Sequence, residues 1–347
     1  VSTIWYTTRE RVKRALDAAE TARNNAQVDA AIASASPEIE GLCHRFFYPL
    51  TATRYFDDKI GPVCGTRLYL DKHDLISATS ITVDGTALSA SDYHLYPQDG
   101  PPYRWIDLDD DASASWSSSQ RGNVLVGIWG HSANTSAAGT ITAALADTTG
   151  TSVSCSDSAA IGVGDIIKVD SERMIVTGKT MADTGVNIHA ADSLTASNAD
   201  VGITMSTTTA APVADEIILI DSERMLVVDV AGSVLTVKRA WDGSVLATHA
   251  ALADIYAPRT LTVERGALGT TAATHLINAA ITRHVVPPLV EGYAVASAMN
   301  QLLNEGSGYA RVAGSGENAR EYWGRQLGEK RDQVYATYGR KARSRAV

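Results

Sequence analysis

Asp165-Ile-Ile-Lys-Val-Asp-Ser-Glu-Arg-Met-Ile-Val176 returns 51 residues later as Glu216-Ile-Ile-Leu-Ile-Asp-Ser-Glu-Arg-Met-Leu-Val227. Each copy is apolar on both sides of a polar Asp-Ser-Glu-Arg tip, the pattern of a tight β-hairpin. A second echo has a different spacing. Leu235-Thr-Val-Lys-Arg-Ala240 with Ala247-Thr-His249 recurs 26 residues on as Leu261-Thr-Val-Glu-Arg-Gly266 with Ala273-Thr-His275. Internal repeats of this kind point to a stacked or duplicated β module. Residues on either side do not repeat. The expectation is therefore an all-β repeat module over 138–284, inserted into a domain built from 1–137 and 285–347.

The flanks read as helix around a smaller sheet region. Thr7-Thr8-Arg9-Glu10 has the form of a capping box opening a helix over 8–22. Val28, Ile32, Ala35, Ile39, Leu42 and Phe46 mark a second helix over 25–47, with Pro37 as a kink or a fresh start after Ser36. The period then changes to two. Arg67–Leu70, Ser80–Val83, Tyr103–Leu108 and Asn123–Trp129, with a turn at Asp84-Gly85, predict four to six strands within 53–130. Helical spacing returns over 288–304 and, beyond a Gly/Ser loop at 306–316, over 317–340. The predicted class is thus α+β: a helical domain with a small β region, carrying the large inserted module.

The 347 residues suffice for about two domains and a sizeable core without staples. Three cysteines, Cys43, Cys64 and Cys155, form no Cys-x-x-Cys pair, which disfavours a disulfide framework or structural zinc and fits a reducing cytoplasm. No apolar run reaches membrane-spanning length, and Val1–Glu10 has no hydrophobic leader core. The net charge of -9 is unevenly spread. Residues 51–130 carry -5 and 131–285 carry -7, whereas 317–347 carry +4. An acidic body with a basic C-terminal tail argues against a general DNA-binding surface on the body.

Chemistry-bearing motifs are sparse. Asp170, Glu172, Asp221 and Glu223 offer paired carboxylates, but at hairpin tips they are expected to face solvent, so their replacement by amides should be harmless. His249 and His275 occupy matching repeat positions without a second ligand at metal spacing and read as packing or turn-capping residues. Asp109–Asp111 lacks the spacing of a calcium loop, Gly314-Ser-Gly316 lacks a phosphate-loop lysine, and neither His-Glu-x-x-His nor Gly-x-Ser-x-Gly occurs. No catalytic, cofactor or metal residue is expected.

Four segments in order carry a family resemblance: Tyr6-Thr-Thr-Arg-Glu-Arg-Val-Lys-Arg-Ala-Leu16, Ile39-Glu-Gly-Leu-Cys-His-Arg-Phe-Phe-Tyr-Pro49, Leu88–Pro97 through Gly100-Pro-Pro-Tyr103, and Val286-Pro-Pro-Leu289. Together they resemble the head-to-tail connector (adaptor) proteins of long-tailed bacteriophages, and the predicted helical domain would be the connector domain. The resemblance implies a structural virion protein of the phage neck, made in the host cytoplasm and located at the head–tail junction. It further implies a ring of copies, commonly a dodecamer, that joins the portal protein to a downstream neck or tail-completion protein. DNA would pass through the channel without sequence-specific binding, and an acidic lumen would let it slide. The competing readings are a tail-associated glycan-binding or hydrolytic protein and another tail or baseplate structural protein. The insertion contains Trp241 and Tyr256 as its only Trp and Tyr, few for stacking sugars.

The C-terminal helix is the expected portal-docking element. Trp323, Leu327, Val334 and Tyr338 form an apolar stripe, with Arg325, Lys330, Arg331, Arg340, Lys341, Arg343 and Arg345 supplying positive charge around and beyond it.

Overall fold

A computed structural model describes residues 3–16, 25–57, 63–70, 72–306, 312–313, 320–321 and 324–340. Among the described residues four α-helices pack together: α1 (Arg9–Ala15), α2 (Asn25–Cys43), α3 (Pro288–Gly306) and α4 (Gly324–Tyr338). The apolar stripe of α2 makes two contiguous contacts. Val28, Ala31 and Ile32 pack with Val12 of α1 and Ala298 and Leu302 of α3. Ile39 and Cys43 pack with Tyr6, Phe47, Val290, Tyr293 and Val334 of α4. Pro37 lies inside α2 without ending it. Ser36 is not a cap there: its hydroxyl donates to Ile32 O and accepts from Tyr6 N–H, tying the N-terminal strap to the helix. The cap of α1 is Thr8 rather than Thr7, and Glu10 reaches away from the helix to the Val163 N–H.

Residues 50–129 hold eight strands: β1 (Leu50–Phe56), β2 (Val63–Cys64), β3 (Arg67–Tyr69), β4 (Leu75–Val83), β5 (Thr86–Ala87), β6 (Tyr93–Tyr96), β7 (Trp105–Leu108) and β8 (Asn123–Trp129). They form two four-stranded antiparallel sheets, β1-β8-β4-β5 and β2-β3-β7-β6, joined where Leu75 pairs with Tyr103. The period-two pattern explains the core: Leu125 and Trp129 of β8 point inward and meet Leu68, Leu70, Ile81 and Ile106.

Residues 135–284, which take in the insertion expected over 138–284, carry ten strands: β9 (Thr135–Thr140), β10 (Ser152–Ser154), β11 (Ile166–Val169), β12 (Glu172–Asn187), β13 (Gly202–Thr204), β14 (Ile217–Ile220), β15 (Glu223–Ala231), β16 (Val234–Lys238), β17 (Asp254–Glu264) and β18 (Ala280–His284). Their pairing contains the same six-strand order twice. One order is β10-β17-β12-β11-β18-β9, the other β13-β16-β15-β14-β17-β12. Each closes on itself, through Ile141 with Cys155 and through Ile188 with Met205. The insertion is therefore two small barrels sharing two strands. The long β12 and β17 run through both, with register shifts between Val176 and Gly178, Thr180 and Ala182, and Asp183 and Val186. The inner barrel, about residues 182–257, is nested within the outer one. Each interior is filled with aliphatic side chains, the outer by Ile141, Val153, Ile167, Met174 and Ile281, the inner by Ile188, Ile203, Ile218, Met225 and Ile255.

Strands account for 37% of the chain and helices for 20%, which corrects the expected helical domain with a small β region. The error has a physical source. Strands of two to four residues, such as β2, β3, β5 and β6, show too few alternations to register as a period. Two helix ends also differ from expectation, the first being that of α2, which stops at Cys43 and not at 47. Residues 17–24 lie outside the described part, and α4 starts at Gly324, after a short β19 (Val312–Ala313) paired with β20 (Arg320–Glu321) where loop and helix were expected.

The outer barrel is joined to the body by apolar contact among Ile4, Ile166, Ile175 and Ala267. Backbone bonds add to it, Thr51 N–H to Leu268 O at 2.9 Å and Arg9 N–H to Val163 O at 3.2 Å. Gly269 (φ +76°) sits so close to Thr51 O that a Cβ would collide with the carbonyl. Gly269→Ala combines that clash with a left-handed backbone, and is expected to cost about 2–4 kcal/mol in denaturant unfolding.

Candidate functional site

The repeated tips build a repeated buried cluster, unlike the solvent-facing turns expected of them. Asp170 (φ +51°) and Asp221 (φ +50°) take the left-handed turn positions and have exposed side chains. Two residues on, the chain has re-entered the sheet, so Glu172 and Glu223 point inward and are fully buried. Each is met by the arginine immediately after the strand that pairs with its own, Arg239 after β16 for Glu223 and Arg265 after β17 for Glu172. Arg239 donates from Nε (2.7 Å) and Nη2 (2.7 Å) to the two oxygens of Glu223. Arg265 does the same to Glu172, at 2.7 and 2.9 Å.

Backbone and imidazole complete each cluster. Glu223 accepts from Ala240 N–H and Ala247 N–H, Glu172 from Gly266 N–H and Ala273 N–H. His249 lies between Asp221 (Nδ1, 2.7 Å) and Glu223 (Nε2, 2.9 Å), and His275 between Asp170 (2.8 Å) and Glu172 (2.8 Å). The arginines use their remaining donors on loop carbonyls, Arg239 on Thr195 and Asp200, Arg265 on Gly150. Every group thus ties a strand end to a loop, and the cluster closes one end of its barrel.

Chemically these are struts. Both imidazole nitrogens face carboxylates, leaving neither to activate a hydroxyl. The position a cation would take beside the glutamate is filled by a guanidinium, and among the described residues no group of three or more ligating side chains is placed to hold a metal. Arg239 and Arg265 were the residues that sequence reasoning missed. The signal was present, since an arginine closes both copies of the second echo, but its glutamate partner belongs to the first.

A third buried pair lies between the barrels. Arg259 donates to Glu216 from Nε (3.0 Å) and Nη2 (2.8 Å), and Glu216 also accepts from Ser158 N–H. The outer-barrel counterpart of Glu216 is Asp165, which accepts from Gly162 N–H at 2.7 Å but has Arg283 only at 3.7 Å.

These two arrangements titrate in opposite senses. Burial pushes Glu172 and Glu223 up, but the arginine, histidine and backbone donors outweigh it and hold both at about 2. Burial pushes Asp165 up to about 6 against the weaker pull of Arg283 and Gly162 N–H. The glutamates therefore stabilise the fold at neutral pH, and that contribution drains as pH falls from 4.5 towards 2. Asp165 keeps its proton in the fold to about pH 6 but releases it near 3.8 when unfolded, so its contribution falls as pH rises through that window. Asp165→Asn should therefore raise stability at pH 7 by about 1–2 kcal/mol and leave it nearly unchanged at pH 3.5, as urea titrations at the two pH values would read.

A cleft of about 380 Å³ separates α1 from the two barrels. Its cations are engaged: Lys13 and Arg224 with Asp242, Arg14 with Asp215, Arg9 with Asp29, and Lys179 with the Ser158 and Ile161 carbonyls. The cleft is a seam lined by charges that are already paired.

Three residues of the expected docking stripe, Leu327, Val334 and Tyr338, face the helical core. Val334 is buried, and Leu327 and Tyr338 pack beside it on the helical core; Tyr338 meets Phe47 and His131 edge-on. Arg340 bonds Asp74 at 2.8 Å, and its N–H donates to Cys43 O. Lys330 and Arg331 are exposed, and Arg325 falls in the first turn of α4. Trp323, Lys341, Arg343 and Arg345 lie outside the described residues. Comparison with known protein families, with curated proteins and with solved structures finds no match.

Proposed function

We propose that the chain is a non-enzymatic structural subunit of a phage neck, which forms a ring joining the portal to the tail and continues the DNA channel. The observation that carries this reading is the meeting of the four connector-like segments in one body despite the long insertion. Tyr6 of the first, Phe47 of the second and Val290, just after the fourth, share one buried cluster, and the third supplies β6 to the adjoining sheet. His284 fastens the end of the insertion to the same place, through Nε2 to Phe47 O at 2.8 Å. The buried ion pairs of the insertion, Glu172 with Arg265, Glu223 with Arg239 and Glu216 with Arg259, hold its own strands and loops together, which supports a structural role for it too.

Portal docking then falls to the basic residues that remain outside the core, Lys330 and Arg331, together with the basic sequence after Arg340. Electron microscopy of the purified chain tests the reading. Closed rings with a central hole that bind purified portal are expected. A monomer that binds no portal under any ionic condition would end it.

A further inference from the structure

The strand registers give the β part of the body two ends of opposite charge. At one end lie the finish of β1 and β4, the start of β6 and β8, and the finish of β7. Asp57, Asp84, Asp92, Asp109, Asp110 and Asp111 are in or next to these strand ends, with Arg121 among them. Asp84, Asp110 and Asp111 are exposed. At the other end lie the start of β1, β4 and β7 and the finish of β8. There Lys72 and Arg104 are exposed, and Arg45 and Arg340 converge on a single buried acid, Asp74. Among the described residues Asp99 is the other acid at this end, and Asp71, next to Lys72 in the sequence, lies outside them.

Two histidines report the positive surplus at the basic end. His131 takes a hydrogen-bond contact from Arg45 at 3.1 Å, and His73 one from Arg54 at 3.2 Å. Burial first, then the surrounding guanidiniums, push both rings down to about 4. Part of the surplus is met by the C-terminal carbonyls of α2 and α4, which end beside Arg45 and Arg340. Beyond Arg340 the sequence adds Lys341, Arg343 and Arg345.

The seven-residue β8 holds these ends about 20 Å apart. That is roughly two screening lengths at physiological salt, so the ends do not neutralise each other within one copy. A surface with one basic and one acidic end is complementary to itself when copies are placed head to tail. We infer that neighbouring copies of this chain associate through these ends, the Asp109–Asp111 loop of one copy docking on the Lys72 and Arg104 face of the next. The inference rests on the reading of the chain as a ring subunit and names the contact that would build the ring.

Sedimentation velocity of the full chain tests it. At about 50 mM salt the protein is expected to sediment as an oligomer, and at about 500 mM to weaken by at least tenfold in association constant. Asp110→Lys with Asp111→Lys makes both ends basic; Lys72→Glu with Arg104→Glu makes both acidic. All four positions are exposed, and unchanged circular dichroism would confirm folding. Each variant alone is expected to be monomeric, and an equimolar mixture to assemble again, because the two then alternate. Assembly of either variant alone like wild type, failure of the mixture, or a wild type that stays monomeric at low salt would each overturn the contact. Rings that persist in both variants would overturn this contact while sparing the ring reading. Open filaments abolished by the variants and restored by the mixture would uphold the contact and overturn the ring reading.

Discussion

Glu223→Ala is expected to cost on the order of 3–5 kcal/mol in urea unfolding, whereas Asp221→Ala, two residues away, should cost less than about 1 kcal/mol. The difference follows from burial. Asp221 is 62% exposed and meets one imidazole nitrogen, so water replaces much of what is lost. Glu223 is 0% exposed and holds Arg239, which is equally buried and would be left as an uncompensated charge. A second variant separates the ion pair from the packing. Glu223→Met with Arg239→Met removes both charges and should recover a good part of the loss, since two apolar side chains need no partner. Glu172 and Arg265 should behave in parallel in the outer barrel. Exchanging all four tip acids for amides, harmless if they were surface turns, should now loosen both barrel ends. Equal small costs for Asp221→Ala and Glu223→Ala would show the cluster to be dispensable.

Excising the inner barrel is the second large perturbation, and the chain is expected to survive it. Ala182 and Ala257 are cross-strand partners in β12 and β17, so an Asn-Gly turn between them can close the shortened ladder as a hairpin. The outer barrel keeps its own closing pair, Ile141 with Cys155, and its own interior. Arg259 loses Glu216, but removal of the inner barrel also opens it to water. A cooperative transition should remain, with an m-value lower by about a fifth, in proportion to the residues removed. A protein without a cooperative transition would show that the two barrels are one folding unit.

The nested order was partly written in the two repeat spacings. A tandem copy would give one offset, with every outer element preceding its inner equivalent. Here the β11–β12 hairpin precedes its equivalent, β14–β15, by 51 residues, whereas the end of β17 follows its equivalent, β16, by 26. Reversed order across two offsets is what an insertion of one copy into the other produces. Helical spacing located α2 and α3, and the apolar runs and turns marked the β11–β12 and β14–β15 hairpins. Asp-Ser-Glu-Arg misled because turn propensity describes the tip residues and not the first residue after them, which decides whether Glu172 or Glu223 faces water. Leu327, Val334 and Tyr338 of the expected stripe do pack together, but spacing alone does not say whether the surface they meet is Phe47 and Tyr293 of the same chain or a partner.

The shared strands also set an order of assembly. In the outer barrel Val176 must find Val263, with 86 residues between them. Closing so long a loop from an open chain costs about 2 kcal/mol more in entropy than closing a short one. Once the inner barrel has formed, Asp183 and Tyr256 are already paired, and Ala182 with Ala257, then Thr180 with Thr260, add to an existing ladder. The inner barrel is therefore expected to act as the nucleus from which the outer one zips. A cavity cut into the inner core, for instance at Ile218, should slow the closure of β12 on β17 in the outer barrel, although no atom there has changed.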